Sequence, residues 1–341
     1  MAFFEKLKKT ILCILLTLTT PLWLAAQILP NFGGQRAGLS TLSFLKNDMD
    51  PRVFGLAGAG SALEGNAFSA SNNPAGLAGL MSNSVGISNI FLGAGINQSF
   101  IAGNFKLKNN ATFSASINSL NAGNMEVRTE FQPNGTGEFY FVNNTAFGLS
   151  YALKLSEMFS LGASAALVFE NMAGYKNMAI CTDLGFLYTT DFKKLQFAVC
   201  LKNFGGNSSL NESGEVPVTY NRQGISLEQH TLPTVFELGV SMLAWSKNKH
   251  TITGSIELNH PNDNAENIRL GAEYKFAQLF TGYLGYMFSV KGQNLPSAGI
   301  AIKIHKAKKT NFSYGVHPSG SFGARQIIGL STDFNLKQKT K

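Results

Sequence analysis

The sequence predicts an all-β fold, a transmembrane antiparallel β-barrel of about 14 strands. Three observations carry that expectation. Between about residues 84 and 336, short runs alternate apolar residues with polar or small ones and are broken by turn-like stretches. Beyond the N-terminus, no stretch approaches the ~20 continuous apolar residues that a membrane helix needs. Composition is the third: 14% of residues are charged, while glycine (35) and phenylalanine (27) are abundant. Aromatics toward lipid, small polar residues toward a lumen, and glycine or asparagine in turns account for that balance. A soluble β-helix or propeller would require a repeat of fixed period, and the chain has none.

At the N-terminus, Lys6, Lys8 and Lys9 precede an apolar run from Ile11 to Leu18, and Leu24-Ala25-Ala26 offers a small-residue cleavage site. Residues 1–26 therefore read as a secretory signal peptide, with a mature chain beginning at Gln27. The apolar run is short for a membrane anchor. Residues 27–82 do not alternate. They hold the run Arg52-Val53-Phe54-Gly55-Leu56-Ala57-Gly58-Ala59-Gly60-Ser61-Ala62, followed by Asn72-Asn73-Pro74-Ala75-Gly76-Leu77. Such a small-residue chain can pack closely inside a barrel mouth. Gly58-Ala59-Gly60 is no nucleotide loop, because the third glycine and a Walker lysine are missing.

Residues 83–341 form the expected barrel. On one strand, Phe147, Leu149, Tyr151, Leu153 and Leu155 share a face opposite Gly148, Ser150, Ala152 and Lys154. Strands are expected near 84–92, 96–105, 111–120, 145–155, 158–170, 178–189, 195–204, 233–245, 249–259, 266–276, 280–290, 295–304, 310–317 and 325–336. An even count puts both termini on one side. Turns near 106–110, 156–157, 191–194, 246–249, 277–279 and 306 are then the short periplasmic ones. The two long connections, 121–144 and 205–232, fall together on the outer side. The first reads as containing its own hairpin, turning at Pro133-Asn134-Gly135; the second is rich in Gly, Asn, Ser and Glu and reads as mobile.

Charges on the inner face are Glu170, Lys202, Glu237, Glu257, Arg269, Glu273 and Lys275. They are expected to pair across the interior and hold it shut. Folding the hairpin near Asp191 sets Cys181 opposite about residue 202, so Cys181 and Cys200 are expected to be buried and unpaired. The net charge of +8 collects in the signal peptide, the C-terminus and short turns, with no basic stripe interleaved with aromatics, so nucleic acid is not an expected partner. The five histidines, 230, 250, 260, 305 and 317, lie outside any metalloprotease, hydrolase-elbow or thiol motif. No enzyme, metal or cofactor is expected.

The arginine-initiated Gly/Ala run followed by Asn-Pro-Ala-Gly-Leu resembles the PorV/PorQ family, related to FadL-like outer-membrane barrels. Lys202-Asn203-Phe204-Gly205, Leu232-Pro233 and Asn267-Ile268-Arg269-Leu270-Gly271-Ala272-Glu273-Tyr274 agree in order. The resemblance runs from about residue 50 to the C-terminus. It implies a fourteen-strand barrel with residues 27–82 as a luminal hatch, and gives Asn72, Asn73, Pro74, Ala75, Gly76 and Leu77 a hatch role. It also implies a place in the outer membrane, in the type IX secretion system of Bacteroidetes-type bacteria, beside a translocon barrel and the C-terminal signal domains of secreted cargo. Phe139, Tyr140, Phe141, Tyr220 and Arg222 in the long loops are the candidate partner contacts. The alternative is a FadL-like transporter of hydrophobic small molecules, against which the polar inner face argues.

Overall fold

The computed structural model describes residues 38–108, 110–212, 228–277, 279–288, 296–305, 310–319 and 323–334. Residues 1–26, and Tyr220 and Arg222, lie outside them. The strands are β1 (Asn83–Gly93), β2 (Ile96–Lys106), β3 (Ala111–Glu126), β4 (Phe139–Lys154), β5 (Phe159–Met172), β6 (Tyr175–Thr189) and β7 (Gln196–Gly205). They continue as β8 (Asn211–Glu212), β9 (Val235–Lys247), β10 (His250–Pro261), β11 (Asn267–Phe276), β12 (Phe280–Phe288), β13 (Ser297–His305), β14 (Thr310–Pro318) and β15 (Ala324–Phe334). Long strands pair antiparallel with their sequence neighbours, β7 pairs directly with β9, and β1 pairs with β15. A 14-strand barrel closes, as the alternation predicts. The two-residue β8 is an annex, laid against Tyr175 and Lys176 of β6.

Exposure shows which face is which. On β4, Phe147, Leu149 and Tyr151 are about half exposed, whereas Ser150 and Ala152 are buried. On β15, Ile328 and Leu330 are exposed and Ile327 is buried. The apolar faces thus point away from the protein interior, the reverse of a soluble sheet and the arrangement lipid requires. Aromatic groups cluster on that surface near the end at which β15 finishes; the described start of the chain lies at the other end, where Lys46 pairs with Asp263. Phe159 packs on Phe186 and Tyr188, and His250 sits against Trp245, Tyr274 and Phe276. Rings with an apolar body and a polar edge favour a membrane–water boundary.

Connections at that end, 107–110, 155–158, 190–195, 248–249 and 277–279, are short, and both long connections lie at the other. Two of the two-residue hairpins, Ala94-Gly95 and Ala173-Gly174, hold both central residues at positive φ. That is the turn whose twist matches the flanking strands, and glycine takes its second position without strain.

Two expectations need correction, and a third, the mobile 205–232 loop, falls mostly on residues 213–227, outside the described ones. The hairpin read inside the 121–144 loop is the continuation of β3 and β4 themselves, which pair as far as Glu126↔Phe139 beyond a bulge at Asn121/Asn124. Alternation was legible on both sides of that bulge but not across it, because one extra residue of β3, two facing the single Val142 of β4, resets its phase. The tip does not turn at Asn-Gly alone. Thr129 and Gln132 exchange backbone hydrogen bonds around Glu130-Phe131, and the Gly135 amide then donates to Gln132 O.

The cysteines are both free and buried, but Cys181 faces Gly205 rather than the vicinity of residue 202. The hairpin turns with Thr189 opposite Gln196, which moves the partner of Cys181 by two residues, and a register shift between Thr182 and Leu184 moves it by one more. Asn203 there takes a left-handed conformation, and its amide donates to Asp183 Oδ1 at 2.7 Å. Finally, the described ends of the 205–232 loop are tied down. Ser208 pairs with His230, β8 pairs with β6, and the Thr41 amide donates to Thr231 O.

Leu149 sits within the outward apolar row of β4. Leu149→Arg should lower unfolding free energy by about 2–4 kcal/mol, the toll of a cation near the bilayer midplane. Urea titration of the barrel in lipid vesicles measures it; an unchanged midpoint would place this face away from lipid.

Candidate functional site

Residues 38–82 touch the inward faces of strands all round the ring. They hold a 3-10 helix, Ser43–Lys46, and then, on the stretch that carries the site, two short α-helices, Pro51–Gly55 and Ser69–Asn72, and a second 3-10 helix, Pro74–Gly79. Local sequence explains Pro51–Gly55 and Pro74–Gly79. Asp50 caps Pro51–Gly55 by accepting from the Arg52 amide at 2.9 Å, and proline occupies the first helical position. Asn73 does the same for Pro74–Gly79, accepting from the Ala75 amide at 2.9 Å.

Asn72 and Asn73 also tie this turn to the glycine run. Asn72 Nδ2 donates to Gly60 O at 2.9 Å and Asn73 Nδ2 to Ser61 O at 2.8 Å. Pro74, Ala75, Gly76 and Leu77 are buried behind them.

The wall is cut to fit. A Cβ at Gly162 of β5 would collide with the Pro74 backbone, one at Gly185 of β6 with Asn73 Oδ1, and one at Gly285 of β12 with Leu56. Luminal glycines are therefore seats for the N-terminal segment. Against β1, β2 and β15 the contact is apolar: Met49, Phe54, Phe68, Leu77 and Leu80 join Ile90, Phe100, Ala102 and Ile327 in one buried cluster.

Against β9–β11 the contact is polar. Arg52 forms a bidentate pair with the buried Glu273, Nε to Oε2 at 2.6 Å and Nη2 to Oε1 at 3.1 Å. Lys275 approaches the same carboxylate at 2.7 Å. Burial disfavours the Arg52 charge, but Glu273 outweighs it and the guanidinium is held above its usual value. Burial raises Asp50, opposed by the Asn66 hydrogen bond and by Arg52.

Glu257 Oε2 accepts from the Gly60 amide at 3.1 Å and the Ser61 amide at 2.8 Å. Its other oxygen lies 3.4 Å from Arg269 Nη1, which is 3.9 Å from Glu237. Lys202 approaches Glu237 at 3.8 Å. Six of the seven expected luminal charges thus gather on β7–β11, four of them in one network. Glu170 stands apart, accepting from Asn177 Nδ2 at 3.1 Å.

Sequence reasoning missed the N-terminal partners: Arg52, the Gly60 and Ser61 amides, and Lys46, which pairs with Asp263 at 2.6 Å. The Asp-Pro-Arg start of a helix was a legible signal for Arg52's position; its partner, more than two hundred residues away, was not.

The segment leaves two separate chambers. One, of about 700 Å³, lies at the end of the short turns and includes Arg52, Glu64 and Lys194. The other, of about 280 Å³, lies at the opposite end and includes Asp48, Lys202, Glu237, Arg269 and Arg325. Neither carries a mainly apolar lining. Among the described residues, no group of His, Cys, Asp and Glu is placed to hold a metal ion.

The second feature is the arm. On β4 the outward row changes from Phe147 through Thr145 and Asn143 to Phe141 and Phe139, so these two rings lie past the polar edge of the apolar band. Phe141 is ~20 Å along the strand from Phe147 at about 3.3 Å per residue. Phe139 is 64% exposed, Phe141 52%, and Phe131 at the tip 94%. Tyr140 points to the other face and is half-buried.

A family model for the type IX secretion system protein PorV matches residues 33–176. That span covers the packed N-terminal segment, β1–β5 and the arm. No curated protein matches the chain by sequence. Among solved structures, the Ralstonia pickettii toluene transporter TbuX aligns with 84% of this chain and 98% of its own, at 13% identity and a TM-score of 0.56. The Pseudomonas putida toluene transporter TodX aligns over 84% and 98%, at 11% identity and 0.57. A Pseudomonas aeruginosa FadL homologue aligns over 85% and 98%, at 11% identity and 0.52. The fold is that of FadL-like outer-membrane barrels.

Arg52→Ala strands Glu273 with Lys275 alone. It should destabilise the protein by about 3–5 kcal/mol, as breaking a buried pair does, with Arg52→Lys intermediate because it cannot pair bidentately. Urea midpoints of the three proteins in vesicles test the order.

Proposed function

We propose that this chain is a non-enzymatic outer-membrane component of type IX secretion that holds the C-terminal signal domains of secreted cargo near the translocon. The PorV match over 33–176 is the observation that carries the reading. In this reading the barrel is a plugged scaffold: residues 38–82 are the hatch, and the luminal ion pairs hold it in place. Partners meet the rim that carries the long connections, which faces the cell exterior. Phe131, Phe139 and Phe141 are rigid, exposed aromatics of the kind that anchor protein interfaces.

Affinity isolation of the tagged protein from its native outer membrane, with mass spectrometry of the eluate, tests the assignment. Proteins sharing a C-terminal β-domain, or a large translocon barrel, are the expected companions. Recovery of the barrel alone with bound fatty acid or another apolar molecule would overturn the reading in favour of transport.

Phe139→Ala/Phe141→Ala should weaken binding of an isolated cargo signal domain about tenfold or more, the scale of an aromatic hot spot, with the barrel still resistant to SDS before heating. Deleting residues 27–80 should raise single-channel conductance in planar bilayers; unchanged conductance would reject the hatch.

A further inference from the structure

The wall of the chamber at the end of the short turns carries a row of donors whose spacing is set by the sheet. Ser246 of β9 pairs with Thr251 of β10, and Thr251 pairs with Lys275 of β11. All three line the chamber. Directly opposed residues have Cβ atoms about 5 Å apart, so two hydroxyls and an ammonium share one line of about 10 Å. Lys249 joins them from the turn below. Its carbonyl accepts from the Ala277 amide, which sets it diagonally to Lys275, at about 7–8 Å. Thr251 neighbours both lysines.

Little within the protein uses these donors. Among the described residues, the Ser246 and Thr251 hydroxyls have no hydrogen-bond partner and Lys249 has no ion pair. Lys275 contacts Glu273 at 2.7 Å and has N–H groups to spare. Arg52 on the floor is turned to Glu273 and to Glu64 O, and contributes mainly its charge. With Lys194 the chamber is lined by four cations, against Glu64 on its lining and Glu273 beneath. In the opposite chamber, Lys46, Lys202, Arg269 and Arg325 are balanced by Asp48, Glu237, Glu257 and Asp263. A cleft of one charge sign with low-dielectric walls concentrates ligands of the other sign.

Glu64 shows how this cavity treats a carboxylate. Burial raises its pKa, yet Lys194, Lys275 and Arg52 outweigh burial and hold the carboxyl below its usual value. One carboxylate thus feels three cations together. Its side chain is 57% exposed and meets Lys194 at 3.2 Å, so it is free to swing away. The N-terminal segment closes the chamber behind it, where Ser241 Oγ donates to Ala62 O at 2.7 Å. An extended polypeptide advances about 3.3 Å per residue and would leave the donor row within about three residues. A compact anion would stay on it. We propose that this chamber is a binding site for a compact oxyanion, a phosphate or a small carboxylate, seated on Ser246, Thr251, Lys275 and Lys249 in competition with Glu64.

Calorimetric titration of the purified full-length protein, in uncharged detergent at low salt, with inorganic phosphate and with citrate tests this. Saturable binding of at least one is expected, and the one that binds identifies the group. Lys249→Gln/Thr251→Val should weaken it about tenfold, the scale of one charged hydrogen bond. Lys247→Gln removes the same charge from an exposed neighbour that does not line the chamber, and should leave binding unchanged. Glu64→Gln should tighten binding severalfold, whereas Glu157→Gln, on another short turn, should not. No saturable heat with either anion, equal loss in the Lys249/Thr251 and Lys247 variants, or no tightening in Glu64→Gln overturns the proposal. Tighter binding of hexaglutamate than of both small anions also overturns it, because the site would then take a chain.

Discussion

A chain in lipid must satisfy every backbone amide and carbonyl from within itself, and the β1–β15 ladder is where this chain meets that condition. Asn83↔Phe334 through Phe91↔Gln326 joins the first strand to the last and leaves the sheet no edge. Closure in turn dictates the interior. With apolar side chains committed to lipid, the alternate positions must face inward, and a ring of fourteen strands encloses more space than serine, glycine and alanine can fill. The N-terminal segment fills it.

Wall and filling are matched by two kinds of contact, because neither suffices alone. On the β1, β2 and β15 side, burial of Phe54, Phe68 and Leu77 supplies favourable but non-directional energy. On the β9–β11 side, Glu257 receives two amides of the glycine run and Glu273 receives a guanidinium. These contacts fix register, since a segment shifted by one residue would leave Glu257 with Arg269 alone and Glu273 with Lys275 alone, each buried and short of hydrogen bonds. Glycines at 162, 185 and 285 let the backbone approach closely. The glycine content of the chain is thus a packing requirement as much as a turn requirement.

How far the sequence discloses this depends on the range of each interaction. A period of two is local, so strand after strand was legible, and inward charges such as Glu237 and Arg269 came from parity alone. The bulges near Asn121 and Asp183 were not legible, because an extra residue leaves alternation intact on either side and only shifts its phase. That is why the β3–β4 arm read as a separate hairpin, and it moved the partner of Cys181 by one residue, the later turn at Thr189 and Gln196 moving it by two more. The Arg52–Glu273 pair was hidden for another reason: nothing in either neighbourhood names a partner 221 positions away. The Asn-Pro-Ala-Gly-Leu turn was recognised as a motif, but its bonds to Gly60 and Ser61 became visible only in three dimensions.

The wall is uneven. β3 and β4 run for 16 residues each, while β13 and β14 run for 9, a difference of ~23 Å along the strand at about 3.3 Å per residue. A barrel with a level rim has no preferred compass bearing, and a protein arriving from above could settle at any angle about the axis. A rim raised on one side breaks that symmetry. Whatever meets this barrel from the side of its long connections encounters the tall wall first and is oriented by it, so two partners engaging the same molecule would hold a fixed azimuth relative to each other.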